Sequence, residues 1–114
     1  MTSMNWEIIY YSEELQEEIL NFPTGIQARY IHLTDRMCIY GANLGMPHTK
    51  AMKDGLFELR LKSKEGIGRV FFCTLVNKRI VMLHSFIKKT NKTPSKELKK
   101  AISRMNEVKE NDDS

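Results

Sequence analysis

The chain has 114 residues, 41% hydrophobic and 28% charged, with few glycines and prolines, which excludes a disordered or fibrous protein and predicts one domain with one core. The formal charge is +4 and the pI about 9.1. No apolar run approaches the roughly 18 residues of a membrane span, and no basic segment followed by an apolar one opens the chain, so a cytoplasmic protein without membrane contact is expected.

In chain order, Trp6-Glu-Ile-Ile-Tyr-Tyr11 is aromatic and β-branched and predicts a short strand. Ser12 offers an N-cap oxygen, glutamates follow where a helix dipole favours them, and Leu15, Ile19 and Phe22 form a stripe that Pro23-Thr-Gly25 ends. A second helix is predicted over 26–40, because Ile26, Tyr30, Leu33 and Met37 fall on one face. Gly41 to Gly55 contains Gly45 and Pro47 and reads as a loop carrying Lys50 and Lys53. From Leu56 the period becomes two: Phe57, Leu59 and Leu61 alternate with Glu58, Arg60 and Lys62, as in a strand with one buried and one polar face.

Lys64 to Gly68 reads as a turn, Val70 to Val76 as a central strand, Asn77-Lys78 as a hairpin turn and Ile80 to Ile87 as the next strand. Thr93 followed by Pro94 predicts the N-cap and first position of a terminal helix with Leu98, Ala101, Ile102 and Met105 on its apolar side. The expected fold is α+β: a small antiparallel sheet with an N-terminal helical hairpin and a C-terminal helix, the helices on one face. A single domain over 1–110 and a polar tail over 111–114 are expected.

Charge is unevenly distributed. Residues 1–22 hold five glutamates and no lysine or arginine, whereas residues 78–100 hold eight basic residues against Glu97 alone. Such a surface suits a polyanion such as nucleic acid, and equally fits a solvated lysine-rich helix. Cys38 and Cys73 stand outside any metal-ligand or Cys-x-x-Cys spacing and read as buried thiols. His32, His48 and His84 have no cluster of acidic or thiol ligands in sequence, so no metal and no cofactor are expected.

Arg60 within a strand, Arg69 opening the next and Lys88-Lys89 closing the third are cations in unusual places. If the strands are neighbours, these residues converge on the polar side of the sheet. Fixed guanidinium and ammonium groups stabilise the extra negative charge that develops when a ribose 2′-OH attacks the adjacent phosphorus, and a lysine with a lowered pKa, or His84, can serve as acid or base. The same residues admit a plainer reading, in which Arg60 pairs with Glu58 or Glu65 and the lysines are solvated. Phe71 and Phe86 are candidates to stack on a base, although core packing suits them as well. Lys50, Lys53, Lys62, Lys92, Lys96, Lys99 and Lys100 are the candidate RNA-backbone contacts.

The segments Asp54-Gly-Leu-Phe-Glu-Leu-Arg60, Gly68-Arg-Val-Phe-Phe72 and Ile80-Val-Met-Leu-His-Ser-Phe-Ile-Lys-Lys-Thr90, with Pro94 and Ala101, resemble the phage-derived branch of HigB toxins within the RelE/ParE superfamily. The resemblance covers about residues 44–105; the first 43 match in element order alone. It implies the toxin of a type II toxin–antitoxin pair, a ribosome-dependent mRNA endoribonuclease. It also implies a hetero-oligomer with a HigA-like antitoxin that carries a helix-turn-helix DNA-binding domain. Arg60 and Arg69 fall where that family keeps sheet arginines involved in catalysis, Lys88-Lys89 fall on its basic strand end, and Lys50 lies in the matching loop. ParE relatives use a similar fold to poison DNA gyrase without cutting RNA, and a nucleic-acid-binding module without toxicity is a third alternative.

Overall fold

The computed structural model describes residues 5–88 and 93–112. Lys89 and Lys92 lie outside the described residues. Eight elements follow one another: β1 (Glu7–Tyr10), α1 (Glu13–Leu20), α2 (Thr24–Tyr40), β2 (Thr49–Lys53), β3 (Leu56–Ser63), β4 (Gly66–Leu75), β5 (Arg79–Lys88) and α3 (Ser95–Glu110). The α+β class, the helical hairpin and the terminal helix are as expected.

Local chemistry explains the helices. The Ser12 hydroxyl accepts the Leu15 N–H at 3.1 Å, Glu13 and Glu14 occupy the first turn, and Leu15 and Ile19 are buried. α2 begins at Thr24, two residues before the expected start, and buries Ile26, Tyr30, Leu33, Thr34 and Met37. The Glu65 carboxylate accepts the Gly25 N–H at the start of α2, so it faces a helix N-terminus and not Arg60.

The sheet order is β1-β5-β4-β3-β2, with β1 parallel to β5 and the other pairs antiparallel. The loop expected over 41–55 is corrected: Thr49–Lys53 is an edge strand, joined to β3 by a tight turn in which Asp54 and Gly55 take positive φ of 53° and 92°. The expected turn over 64–68 is also shorter, because β4 starts at Gly66 and Arg69 stands well inside it.

The helices cover both faces of the sheet, not one. Leu15, Ile19, Ile26, Leu33 and Met37 of α1 and α2 pack on Leu59, Leu61, Val70, Phe72, Ile80 and Met82. Ala101 and Met105 of α3 pack on Leu56, Phe71, Cys73, Val81 and Leu83 from the opposite side. Val70 to Cys73 are buried throughout because alternate residues enter different cores. α2 lies close against the sheet at Gly68, where a Cβ would stand 2.6 Å from the Ile26 Cγ2.

The ladder between β4 and β5 is interrupted. Phe72 pairs with Met82 and Phe71 with His84, leaving Leu83 as the extra residue of a β-bulge. Beyond it, His84, Phe86 and Lys88 stand opposite Phe71, Arg69 and Ile67. The α3 face of the sheet therefore continues from apolar side chains into charged ones.

Candidate functional site

The charged end of that face is a cleft of about 370 Å³ lined by Lys50 and Met52 of β2, Glu58 and Arg60 of β3, Arg69 of β4, Lys88 of β5, and Thr93 and Leu98. Arg60 and Arg69 are direct cross-strand partners. Two guanidinium groups side by side repel, and this placement persists because a carboxylate stands beside them. Glu58, 2% exposed, holds Arg69, 1% exposed, in an ion pair of 3.0 Å between Oε1 and Nη1. The sequence-based placement of Arg69 on a solvated polar side is thus corrected: it is wholly buried, and Glu58 pairs with it and not with Arg60.

The network continues to the strand end. The Thr93 hydroxyl donates to Glu58 Oε2 at 3.2 Å and accepts from Lys88 Nζ at 3.2 Å. Thr93 does not cap α3, whose first flanking residue is Pro94, without a side-chain cap bond. Glu58 and Thr93 were not predicted as site residues. The signal for Glu58 was its shared strand face with Arg60, which sequence alone assigns to solvent as readily as to a second core.

Electrostatics follow from this crowding. With Lys88 charged, the cleft holds four cations and one carboxylate, a net charge of +3. Burial, and then the Arg69 charge, hold the Lys88 ammonium below the ordinary lysine range; Glu58 opposes them, and Arg60 and Lys50 add smaller lowering effects. Arg69 Nε and Nη2 are buried and have no hydrogen-bond partner. Unused donors of this kind leave capacity for an anion that reaches the floor of the cleft.

The other candidates are placed differently. His84 does not line the cleft: its Nε2 lies 3.0 Å from Glu97 Oε2 on α3, and its ring stacks on Phe86 at 5.9 Å between centroids. Phe71 is corrected as a base-stacking residue, because it is completely buried between Phe86 and the α3 core. Phe86 is half-buried. Lys53 and Lys62 are exposed but lie outside this cleft, whereas Lys96, Lys99 and Lys100 are exposed along α3. Cys38 and Cys73 are free thiols, and burial pushes Cys73 up to about 11. Among the described residues, no group of three or more His, Cys, Asp or Glu comes together as a metal site, and no helix is long and apolar enough to cross a membrane.

Comparison with known proteins agrees with the architecture. A structure described as that of the E. coli toxin RelE in the free state, carrying two arginine-to-alanine substitutions, matches 90% of this chain and 99% of its own length. The TM-score is 0.56 and the identity 10%, a likeness of fold. None of the curated proteins matches. The family described as "Phage derived protein Gp49-like (DUF891)" matches residues 17–106, and the chain, RelE-like in fold, belongs to that phage-derived Gp49-like family.

Proposed function

We propose that this protein is the toxin of a type II toxin–antitoxin system, a HigB-like endoribonuclease that cuts mRNA on the ribosome in the cytoplasm without a metal ion. The observation that carries the reading is the cleft in which Arg60, Arg69, Lys88 and Lys50 converge around one carboxylate. A cation cluster that keeps a net charge of +3 beside its one carboxylate suits a phosphodiester, and the lowered pKa of Lys88 suits proton transfer. The inferred partners are the ribosome, mRNA and a HigA-like antitoxin with a helix-turn-helix domain that forms a hetero-oligomer with the toxin.

In this mechanism, Lys88 in its neutral form takes the proton of a ribose 2′-OH as that oxygen bonds to phosphorus. The bond from phosphorus to the 5′-oxygen then breaks, and the leaving oxygen takes a proton from water. Arg69 and Arg60 stabilise the charge on the pentavalent phosphorane, where loss of one such donor costs on the order of 100-fold or more in rate. Glu58 and Thr93 are positioning residues for Arg69 and Lys88. The products are a 2′,3′-cyclic phosphate and a 5′-hydroxyl.

Inducing the chain in bacteria while following RNA, protein and DNA synthesis separately tests the activity. Translation should stop first, with loss of mRNA. Early DNA damage with intact mRNA would instead identify a gyrase poison and overturn the nuclease reading. Slow cleavage of free RNA should continue in excess chelator; a strict divalent requirement or a 5′-phosphate end contradicts the chemistry.

A further inference from the structure

Arg60 lines two clefts, and the second is not used by the mechanism above. It measures about 150 Å³ and is lined by Arg29 of α2, Pro47, His48, Arg60, Lys62 and Ile67. It lies where β3 runs past the start of β2, for β2 pairing begins at Thr49 opposite Leu59. The His48 carbonyl accepts the Arg60 N–H at 2.9 Å, which fixes the preceding loop against the strand.

Among the described residues its wall is built of cations: Arg29, Arg60 and Lys62 line it beside an imidazole, and no carboxylate does. Arg29 Nε is buried without a hydrogen-bond partner, a donor left unused by the protein itself. Burial, and then the charges of Arg29, Arg36 and His32, hold His48 below its ordinary range. Cations brought together in this way repel one another unless an anion joins them.

We propose that this cleft is a second phosphate subsite, which holds the phosphate next to the scissile one in a single-stranded RNA, with Arg60 standing between the two. The inference rests on the nuclease reading of the first cleft and adds how the RNA is kept in register. Pro47 and Ile67 give the ribose an apolar wall, whereas Arg29, His48 and Lys62 face the phosphate. Phosphate contacts carry no base information but set the position of the chain. The subsite therefore governs which phosphodiester enters the first cleft.

The test uses uncleavable oligouridylates with 2′-O-methyl riboses and either one or two phosphates, titrated by calorimetry into the wild type, Arg29→Gln and Lys62→Gln. Charge-assisted hydrogen bonds predict that the second phosphate raises wild-type affinity by about 10-fold or more. Arg29→Gln and Lys62→Gln should each reduce that step to roughly 3-fold or less while leaving the one-phosphate affinity unchanged. Circular dichroism confirms that each variant is folded.

In parallel, NMR titration of the His48 ring should show an upward shift of its pKa with the two-phosphate probe and not with the one-phosphate probe. The charged and titratable groups around His48 are Arg29, Arg36, His32, Arg60 and Lys62, and the His32 ring is followed in the same spectra. An unchanged step in both variants overturns the proposal, as does an equal shift of His48 with inorganic phosphate, which would mark a free-anion site. An intact two-phosphate step in a protein that never cuts ribosome-bound mRNA would retain the subsite and sink the nuclease reading.

Discussion

Replacing the buried pair one residue at a time and then together separates its structural role from its catalytic one. Arg69 and Glu58 are 1% and 2% exposed and 3.0 Å apart. In Glu58→Leu the guanidinium keeps its desolvation cost and loses its counter-charge; in Arg69→Met the carboxylate does so. Breaking such a pair costs about 3–5 kcal/mol, a large part of the roughly 5–15 kcal/mol that holds a domain together. Each single variant should therefore lower the urea midpoint by roughly 2 M, taking a dependence of about 2 kcal/mol per molar urea. The double variant removes both charges at once and should recover most of that loss, because apolar replacement of a buried pair is commonly neutral or stabilising. Unfolding is followed by the fluorescence of Trp6, the single tryptophan. Recovered stability with no mRNA cleavage is the expected result. A double variant as unstable as the sum of the two singles would refute the energetic argument, and one that still cuts mRNA at the wild-type rate would refute the role of Arg69.

Lys88 gives a pH test. Its pKa is lowered by burial and then by Arg69, so the neutral base becomes populated at a pH below that of an ordinary lysine. Cleavage of free RNA should rise with pH and level off below about 10.4, the ordinary lysine value; Lys88→Arg, which cannot lose its proton, should be slow at every pH, and an unaltered rate profile in that variant removes Lys88 from the proton transfer. Lys96, Lys99 and Lys100 stand exposed on the side of α3 away from Ala101 and Met105, which suits docking on ribosomal RNA. Replacing all three with glutamine should weaken ribosome co-sedimentation and reduce its log-log salt slope by about 2 to 3, with cut sites in bound mRNA unchanged; normal binding at every salt makes this helix only a solvated face.

The elements that the sequence reveals are those whose burial repeats along the chain. Ile26, Tyr30, Leu33 and Met37 announce α2 because one helical face meets one core. β2 escapes this logic. Thr49 is its one fully buried residue, and Lys50 and Lys53 are exposed; its strand character comes from pairing with β3 at the sheet edge, and edge strands carry lysine without harm. The near-continuous apolar run from Val70 to Val76, broken by Thr74, is the signature of a strand covered on both faces, yet the expected fold placed the helices on one face. Arg60 was visible as a cation within a strand, and Lys88 as one at a strand end. That Glu58 would hold Arg69 was not visible, because that depends on cross-strand register and not on any local pattern.

The bulge at Leu83 decides that register. In an uninterrupted ladder continuing from Phe72 and Met82, Phe71 would face Leu83, Arg69 would face Ser85, and Ile67 would face Ile87. Ser85 and Ile87 would then enter the cleft, and Lys88 would turn toward α1. The extra residue reverses this alternation: Ser85 instead meets Glu18 of α1 at 3.3 Å, while Lys88 reaches Thr93 and shares its hydroxyl with Glu58. The same bulge lets Leu83 and His84 both face α3, where Leu83 joins the apolar cluster and His84 pairs with Glu97. α3 thus seals the apolar half of this face through Ala101 and Met105 and leaves its charged half open. A single unpaired residue in β5 therefore accounts for both the anchoring of the last helix and the position of the ammonium group beside Arg69.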